Sequence, residues 1–343
     1  MTDLTQLEQM ALLGPERSEV RSGADAIAHR LNPDEDPELA LRVLICRFLA
    51  SEPTPDTLAQ LATAEAWASQ EGLTTIATRI QLLWFSEVAR LNMDAVDMSF
   101  LNAALTSAER LGTFEVESLL AKAACNPEHR DTHLQRALEM MDAPHWAGLA
   151  YRAWLDLSAA LRAGADTEGA ERALGRALDL AVKHQDHTAE IEARAALALS
   201  LIGRGQLQAA MADLERVLTL SRSEENDLMT IVAAELLCPL YLDQQEWALA
   251  AQTADIMLVA GARRANWFAV VDGHIVRSTL SVIEGQPREA ISRLVRAAVH
   301  LRELVPAAAV NLLKGRLAEL RNSLGAAEFD AHYQAAMVSS GTH

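Results

Sequence analysis

The chain has 343 residues, half of them hydrophobic but only 4% aromatic, so aliphatic material for a core is ample while the aromatic and β-branched patterning of sheets is scarce. Forty-seven acids stand against 30 bases, a formal charge of −17, which is the wrong sign for general nucleic-acid binding. Composition therefore predicts a folded, all-α, acidic protein with no nucleic-acid partner.

From the N-terminus, the opening MTDLTQLEQMALLG has no basic segment followed by an apolar stretch, and nowhere does an apolar run reach the roughly 18 residues that a bilayer crossing requires. A soluble, cytoplasmic protein without membrane insertion is expected. Helix breaks are expected at Gly14-Pro15, Asn32-Pro33, Pro53 to Pro55, Asn92, Asn126-Pro127, Gly164, Gly205, Gly285 and Gly325, where proline and glycine end helical periodicity. They delimit about nine helix pairs between Asp3 and Val338, and no alternating apolar and polar stretch long enough for a sheet interrupts them. Cys46, Cys125 and Cys238 are widely separated within helical segments and read as small core residues in a reducing compartment.

The strongest signal is internal repetition. RGQLQAAMADLERVL at 204–218 aligns after a 40-residue step with QQEWALAAQTADIML at 244–258 and EGQPREAISRLVRAA at 284–298, and one step earlier with GADTEGAERALGRAL at 164–178. Small residues fall at Ala170, Ala210, Ala250 and Ala290; Leu174, Leu214, Ala254 and Leu294 follow four positions later, then Ala177, Val217, Met257 and Ala297. A preceding helix carries its own small-residue ladder at Ala153, Ala193, Ala233 and Gly273, and again at Ser158, Ala198, Cys238 and Ser278. Fainter echoes appear at Leu61 and Ala64, Leu101 and Ala104, and Leu134 and Ala137. Small side chains let helices approach closely and a larger one fills the gap between units, so the ladder predicts stacked helix–turn–helix bricks.

This pattern resembles the tetratricopeptide repeat family, whose second helix carries Ala, a large apolar residue and Ala spaced four and three apart after a turn glycine. Ala198, Gly205, Ala210, Leu214 and Val217 match it, as do Ser278, Gly285, Ala290, Leu294 and Ala297. The period here is 40 rather than about 34, and Pro239 sits inside a first helix. With longer helices and a tail reading LAELRNSLGAAEFDAHYQAA at 317–336, the chain looks like the repeat arrays of bacterial LuxR-type ATP-dependent regulators, without their phosphate loop or a C-terminal helix-turn-helix domain. The resemblance implies an all-α, right-handed superhelical α-solenoid. Divergent repeats are expected over 1–127, regular ones over 128–304 and capping helices over 305–343, as one continuous array.

Chemical constellations are weak. Cys125, His129 and His133 share helical spacing, but Pro127 interrupts the helix and no general base accompanies them, so neither metal nor cofactor is expected. His184, Asp186 and His187 read as helix-end residues, and the acids Glu224-Glu225 and Asp34-Glu35-Asp36 as turn and cap residues. No nucleophile elbow, CxxC or HExxH occurs, so no catalytic residue is assigned and no enzyme is expected.

A binding wall is the better prospect. If the first helices line a groove, Arg152, Leu155, Arg162, Glu192, Leu199, Glu235, Asp272, Ile275 and Thr279 face it, a mixed wall with an apolar stripe suited to an amphipathic helix. Arg263, Arg264, Trp267 and Phe268 form a candidate anchor patch, because Trp and Arg dominate binding hot spots. Residues 260–343 hold ten bases and seven acids, leaving twenty bases and forty acids before them; the acidic part favours a basic protein or peptide partner. The sequence thus reads as an adaptor binding protein or peptide, the alternative being a sensor with a small-molecule pocket in the groove.

Overall fold

The computed structural model describes residues 4, 17–33, 35–49, 54–88, 98–141, 147–301 and 307–339, and no strand occurs among them. The expected breaks at Gly14-Pro15, Pro53 and Asn92, together with Asp3 and Asp34, lie outside the described residues. The chain divides into two compact units, Met1–Ala193 and Arg194–His343. The first holds α1 (Arg17–Ala28), α2 (Pro37–Leu49), α3 (Pro55–Gln70), α4 (Thr74–Val88), α5 (Met98–Leu111), α6 (Glu115–Cys125), α7 (Arg130–Met140), α8 (Ala147–Ala163) and α9 (Thr167–Lys183). Helix α10 (His187–Gly203) contains the division. The second unit continues with α11 (Leu207–Ser223), α12 (Asp227–Asp243), α13 (Trp247–Arg263), α14 (Trp267–Ile283), α15 (Pro287–Leu301), α16 (Ala307–Leu324) and α17 (Ala326–Ser339).

Within each unit, helices pack on their neighbours in chain order. In the first, α1 packs on α2, α3 on α4, α6 on α7 and α8 on α9, with α4 also against α6. In the second, α11 to α15 pack consecutively and α15 meets both α16 and α17. This is an all-α fold of stacked helical pairs, as the ladder predicted.

The backbone is more regular than the letters. Helices α8 to α14 are each 17 residues long. A turn of constant length separates each from the next, so one helix and its turn make half of the ladder's period. The middle residue of every such turn has positive φ: Ala165, Gln185, Gly205, Glu225, Gln245, Ala265 and Gly285. The same two hydrogen bonds close each turn. At Gly205 they run from Gly205 N to Ile202 O (3.0 Å) and from Gln206 N to Leu201 O (2.9 Å); at Gln245 from Gln245 N to Leu242 O (3.2 Å) and from Glu246 N to Tyr241 O (2.9 Å). This pair of bonds around a left-handed residue satisfies carbonyls that the helix end leaves open. The next residue often caps the following helix, as when Asp166 Oδ1 accepts from Gly169 N (2.8 Å) and Asn226 Oδ1 from Met229 N (3.1 Å). Asp186, singled out as a turn residue, does the same for Ala189 N at 3.0 Å.

The ladder residues are the core. Ala210, Ala250 and Ala290 are fully buried, as are Leu214, Ala254 and Leu294. On the first helices Ala153, Ala193, Ala233, Ser158, Ala198, Cys238 and Ser278 are likewise buried. Gly273 shows why its rung is small: a Cβ there would lie 2.7 Å from Leu258 Cγ and 3.2 Å from Ala254 O on α13. The fainter echoes Leu61, Ala64, Leu101, Ala104, Leu134 and Ala137 are buried too. None of the three cysteines is in a disulfide; Cys46 and Cys238 are buried and Cys125 is half-buried.

Leu214→Ala is expected to lower stability by about 2–5 kcal/mol through the cavity it leaves, read as a lower urea midpoint. At the turns the sign reverses between positions. Gln245→Gly relieves a left-handed residue and should raise stability by about 0.5–1 kcal/mol, whereas Gly205→Ala should lower it by a similar amount.

Candidate functional site

The second unit supplies the better-built wall. On α12 the side chains of Ile231, Ala233, Ala234, Leu237 and Cys238 turn into the core, and on α14 those of Ala269, Val270, Val271, Ser278 and Leu280 do so. Helical geometry therefore leaves Val232 and Glu235, and Asp272, Ile275 and Thr279, on the opposite faces. Glu235 and Asp272 are close enough to interact: burial raises the Asp272 pKa, and Glu235 is raised first by burial and then by Asp272. Burial, with both carboxylates adding, pushes the Cys238 thiol up to about 12, so this cysteine is no nucleophile. Pro239, exposed within α12, has no N–H to offer the Glu235 carbonyl one turn earlier. One corner of the wall thus concentrates acceptors.

Exposed apolar side chains lie on the same two helices and on α16. Ile275 packs partly into the core, while Leu228 on α12, Phe268 on α14 and Leu312 on α16 are each more than 40% exposed. Leu199 on α10 is 49% exposed. Thr279 accepts a hydrogen bond from Arg316 Nη2 of α16 (3.0 Å), and Arg316 Nη1 donates to Glu319 Oε2 at 2.6 Å. Leu312 and Arg316 are not among the wall residues expected from the sequence, although Leu312 stands one ladder period after Asp272 and extending the first-helix ladder into α16 reaches it.

In the first unit the expected wall residues do different jobs. Arg152 is a correction: its side chain is only 11% exposed, and Nη1 lies 3.3 Å from Glu87 Oε1 on α4, itself 7% exposed. The pair borders a cavity of about 110 Å³ whose polar lining also includes Ser86, Arg130 and Asp156. Arg130 is turned to the end of α6, its Nε donating to Ala123 O at 3.1 Å. Leu155 packs against the cluster of Tyr151, Ala177, Ala181, Ala189 and Ala193. Glu192 is exposed and held by the Tyr151 hydroxyl, which donates to Oε2 at 2.9 Å. Arg162 is exposed near the end of α8.

The anchor patch divides. Arg263 and Arg264 are exposed at the end of α13, with Arg263 Nη1 3.5 Å from Asp227 Oδ1. Trp267 packs on the core of the second unit while Phe268 remains 45% exposed, so one aromatic is structural and the other available. Cys125 ends α6, His129 lies in the 3-10 turn Pro127–His129 and His133 on α7, with the two imidazole centroids 6.4 Å apart. Among the described residues no group of three or more His, Cys, Asp or Glu is arranged to hold a metal ion. His184 caps α9, and burial lowers its pKa.

No protein-family model and no curated protein sequence matches the chain. Solved structures do. A signal transduction ATPase with numerous domains carrying a tetratricopeptide repeat sensor, from Pyrococcus horikoshii, is similar over 85% of this chain with TM-score 0.57 and 14% identity. This chain spans 47% of that protein's length. A Rap protein complexed with competence and sporulation factor is similar over 95% of this chain and 98% of its own, with TM-score 0.50 and 12% identity. These likenesses show the fold: an all-α solenoid of tetratricopeptide-like helical repeats.

Removing one member of a buried ion pair takes an opposite charge away from the other. Arg152→Met is expected to cost about 3 kcal/mol or more, and Arg152→Met combined with Glu87→Leu to recover most of it, measured as denaturant midpoints of the two variants.

Proposed function

We propose that this chain is a binding scaffold without chemistry of its own. Its second-unit wall of Glu235, Asp272, Ile275 and Thr279 receives a protein or peptide segment carrying basic and apolar side chains. The observation that supports this most is the acceptor-rich corner. Two carboxylates from different helices are crowded and partly desolvated, a state that a guanidinium or ammonium group relieves. Exposed Leu228, Phe268 and Leu312 offer the apolar contacts that an amphipathic helix laid along the wall would need. The fold is one used to hold partners along successive helices, and the acidic charge favours basic partners and disfavours nucleic acid. A cytoplasmic place in a bacterial regulatory or assembly complex is supported by the likeness to a Rap protein and by cysteines that form no disulfide. No helix among the described residues is long and apolar enough to cross a membrane.

The cavity bordered by Glu87 and Arg152 favours one second reading, a small-molecule sensor, since it is a concave site in which opposite charges converge among apolar walls. A thermal-shift screen of small zwitterions separates the readings, because a ligand of the folded state must raise the melting temperature.

The wall reading has a distinctive pair of outcomes. A raised carboxylate pKa means that the folded state holds its proton more tightly than the unfolded chain, so the associated stability is present at low pH and lost as pH rises through the raised value. Asp272→Asn should therefore raise the melting temperature of the free protein at pH 7 while weakening its hold on a basic amphipathic peptide. Fluorescence anisotropy with helical peptides bearing Lys or Glu on the polar face measures the second effect. Equal binding of both peptides, or binding indifferent to Asp272→Asn and Ile275→Asp, would sink the assignment.

A further inference from the structure

One rung of the 40-residue ladder changes character along the second unit, from a charged pair to small neutral residues to a cation. Arg194, Ala234 and His274 occupy the same first-helix position, and Asp213, Thr253 and Arg293 share the corresponding position on the second helices. In the first pair Arg194 Nη1 meets Asp213 Oδ1 at 2.7 Å, with the side chains 23% and 18% exposed. Next, Ala234 and Thr253 are both buried and neutral. The third position breaks the complementarity: His274 lies on α14, which packs on α15, and is near enough to Arg293 and Arg296 on α15 to feel their charge.

The consequences are visible at each atom. Burial, then Arg293 and Arg296, push His274 down to about 4, so the imidazole is neutral at physiological pH. His274 Nδ1 and Arg293 Nε are both buried, and neither has a hydrogen-bond partner among the described residues. Arg296 Nη2 donates to Glu289 Oε1 at 3.1 Å, and the same oxygen is 4.0 Å from Arg293 Nη2. Two guanidinium groups thus share one half-exposed carboxylate. Buried polar nitrogens are ordinarily satisfied, and leaving them without partners costs free energy. Where the first repeat places Asp213, this one has a cation, and the negative charge that completes the earlier rung is missing.

We infer that the α14–α15 corner is a binding site for a compact oxyanion, a phosphate or phosphoryl group, held by His274, Arg293 and Arg296. Arginine donors at a partly buried site make strong charge-assisted hydrogen bonds to phosphoryl oxygens, and a neutral imidazole contributes an N–H from the adjoining helix. The site uses none of the residues assigned above to the wall, so it stands whether or not that reading does.

Isothermal titration of the full chain with inorganic phosphate at low ionic strength, with the imidazole resonances followed by NMR, tests the site. One phosphate per chain is expected, shifting the His274 ring signal, and His274→Gln and Arg293→Gln should each weaken binding by about tenfold or more. His274→Arg combined with Arg293→Asp rebuilds the ion pair of the first repeat; it should fold with an unchanged far-ultraviolet spectrum and bind no phosphate. A short neutral peptide bearing phosphoserine forms a second arm. Affinity equal to that of phosphate supports a site for the free ion, and tighter binding supports a partner's phosphoryl group. Absence of saturable binding of either probe at millimolar concentration, or binding that survives the double replacement, overturns the inference.

Discussion

The structure depends on how closely one helix can approach the next. Ala210, Ala250 and Ala290 on second helices, and Ala193, Ala233 and Gly273 on first helices, remove the side-chain bulk that would hold neighbours apart. Leu214, Met257 and Leu294 then fill the remaining space to core density. That contact tolerates one spacing, and the short turn with its left-handed middle residue supplies it. Helices of equal length joined by such turns return each small residue to the same depth every two helices. Turn and ladder are therefore one constraint: altering the turn's length would move every later rung off its partner.

Much of this was legible because it is local and periodic. The ladder at 170, 210, 250 and 290 is visible as letters, and its burial follows from helical geometry. The finer step, one helix and its turn, was not. Only Gly205 and Gly285 among the seven left-handed turn positions are glycine, and the Schellman-type bonds around Gln185 or Glu225 involve backbone atoms that no side chain announces. Contacts across long sequence separation were equally hidden. Arg152 pairs with Glu87, 65 residues earlier, a contact between distant helices that no local pattern announces. The Arg316 contact with Thr279 spans 37 residues and depends on where α16 returns. Trp267 and Phe268 are adjacent letters with opposite fates, set by which faces the core.

Repetition also shows where function is free to vary. The rung at Ala170, Ala210, Ala250 and Ala290 keeps its size from repeat to repeat, since a larger side chain there would force the close helix contact apart. The outward rungs do not: Val232, Asp272 and Leu312 share one position, and Glu235, Ile275 and Gly315 another. A wall built from such positions can acquire charge or apolar surface without disturbing the stack, so carboxylates and exposed leucines both occur on one well-packed scaffold.

The rung at 194, 234 and 274 lies between these extremes, and its energetics explain why a mismatch there can be tolerated. A buried, unmatched ion would cost several kcal/mol (on the order of 3–5) and would be expected to unfold a marginal array. Here the imidazole stays neutral, and Arg293 and Arg296 keep part of their surface in contact with water and share Glu289. What remains is the smaller cost of unsatisfied N–H groups, about 1–3 kcal/mol each, set against the flanking contacts of Ala290, Ile291 and Leu294, all fully buried. The local fold thus carries an incomplete electrostatic site without losing its packing, and that free energy is available to a ligand whose charge completes the rung.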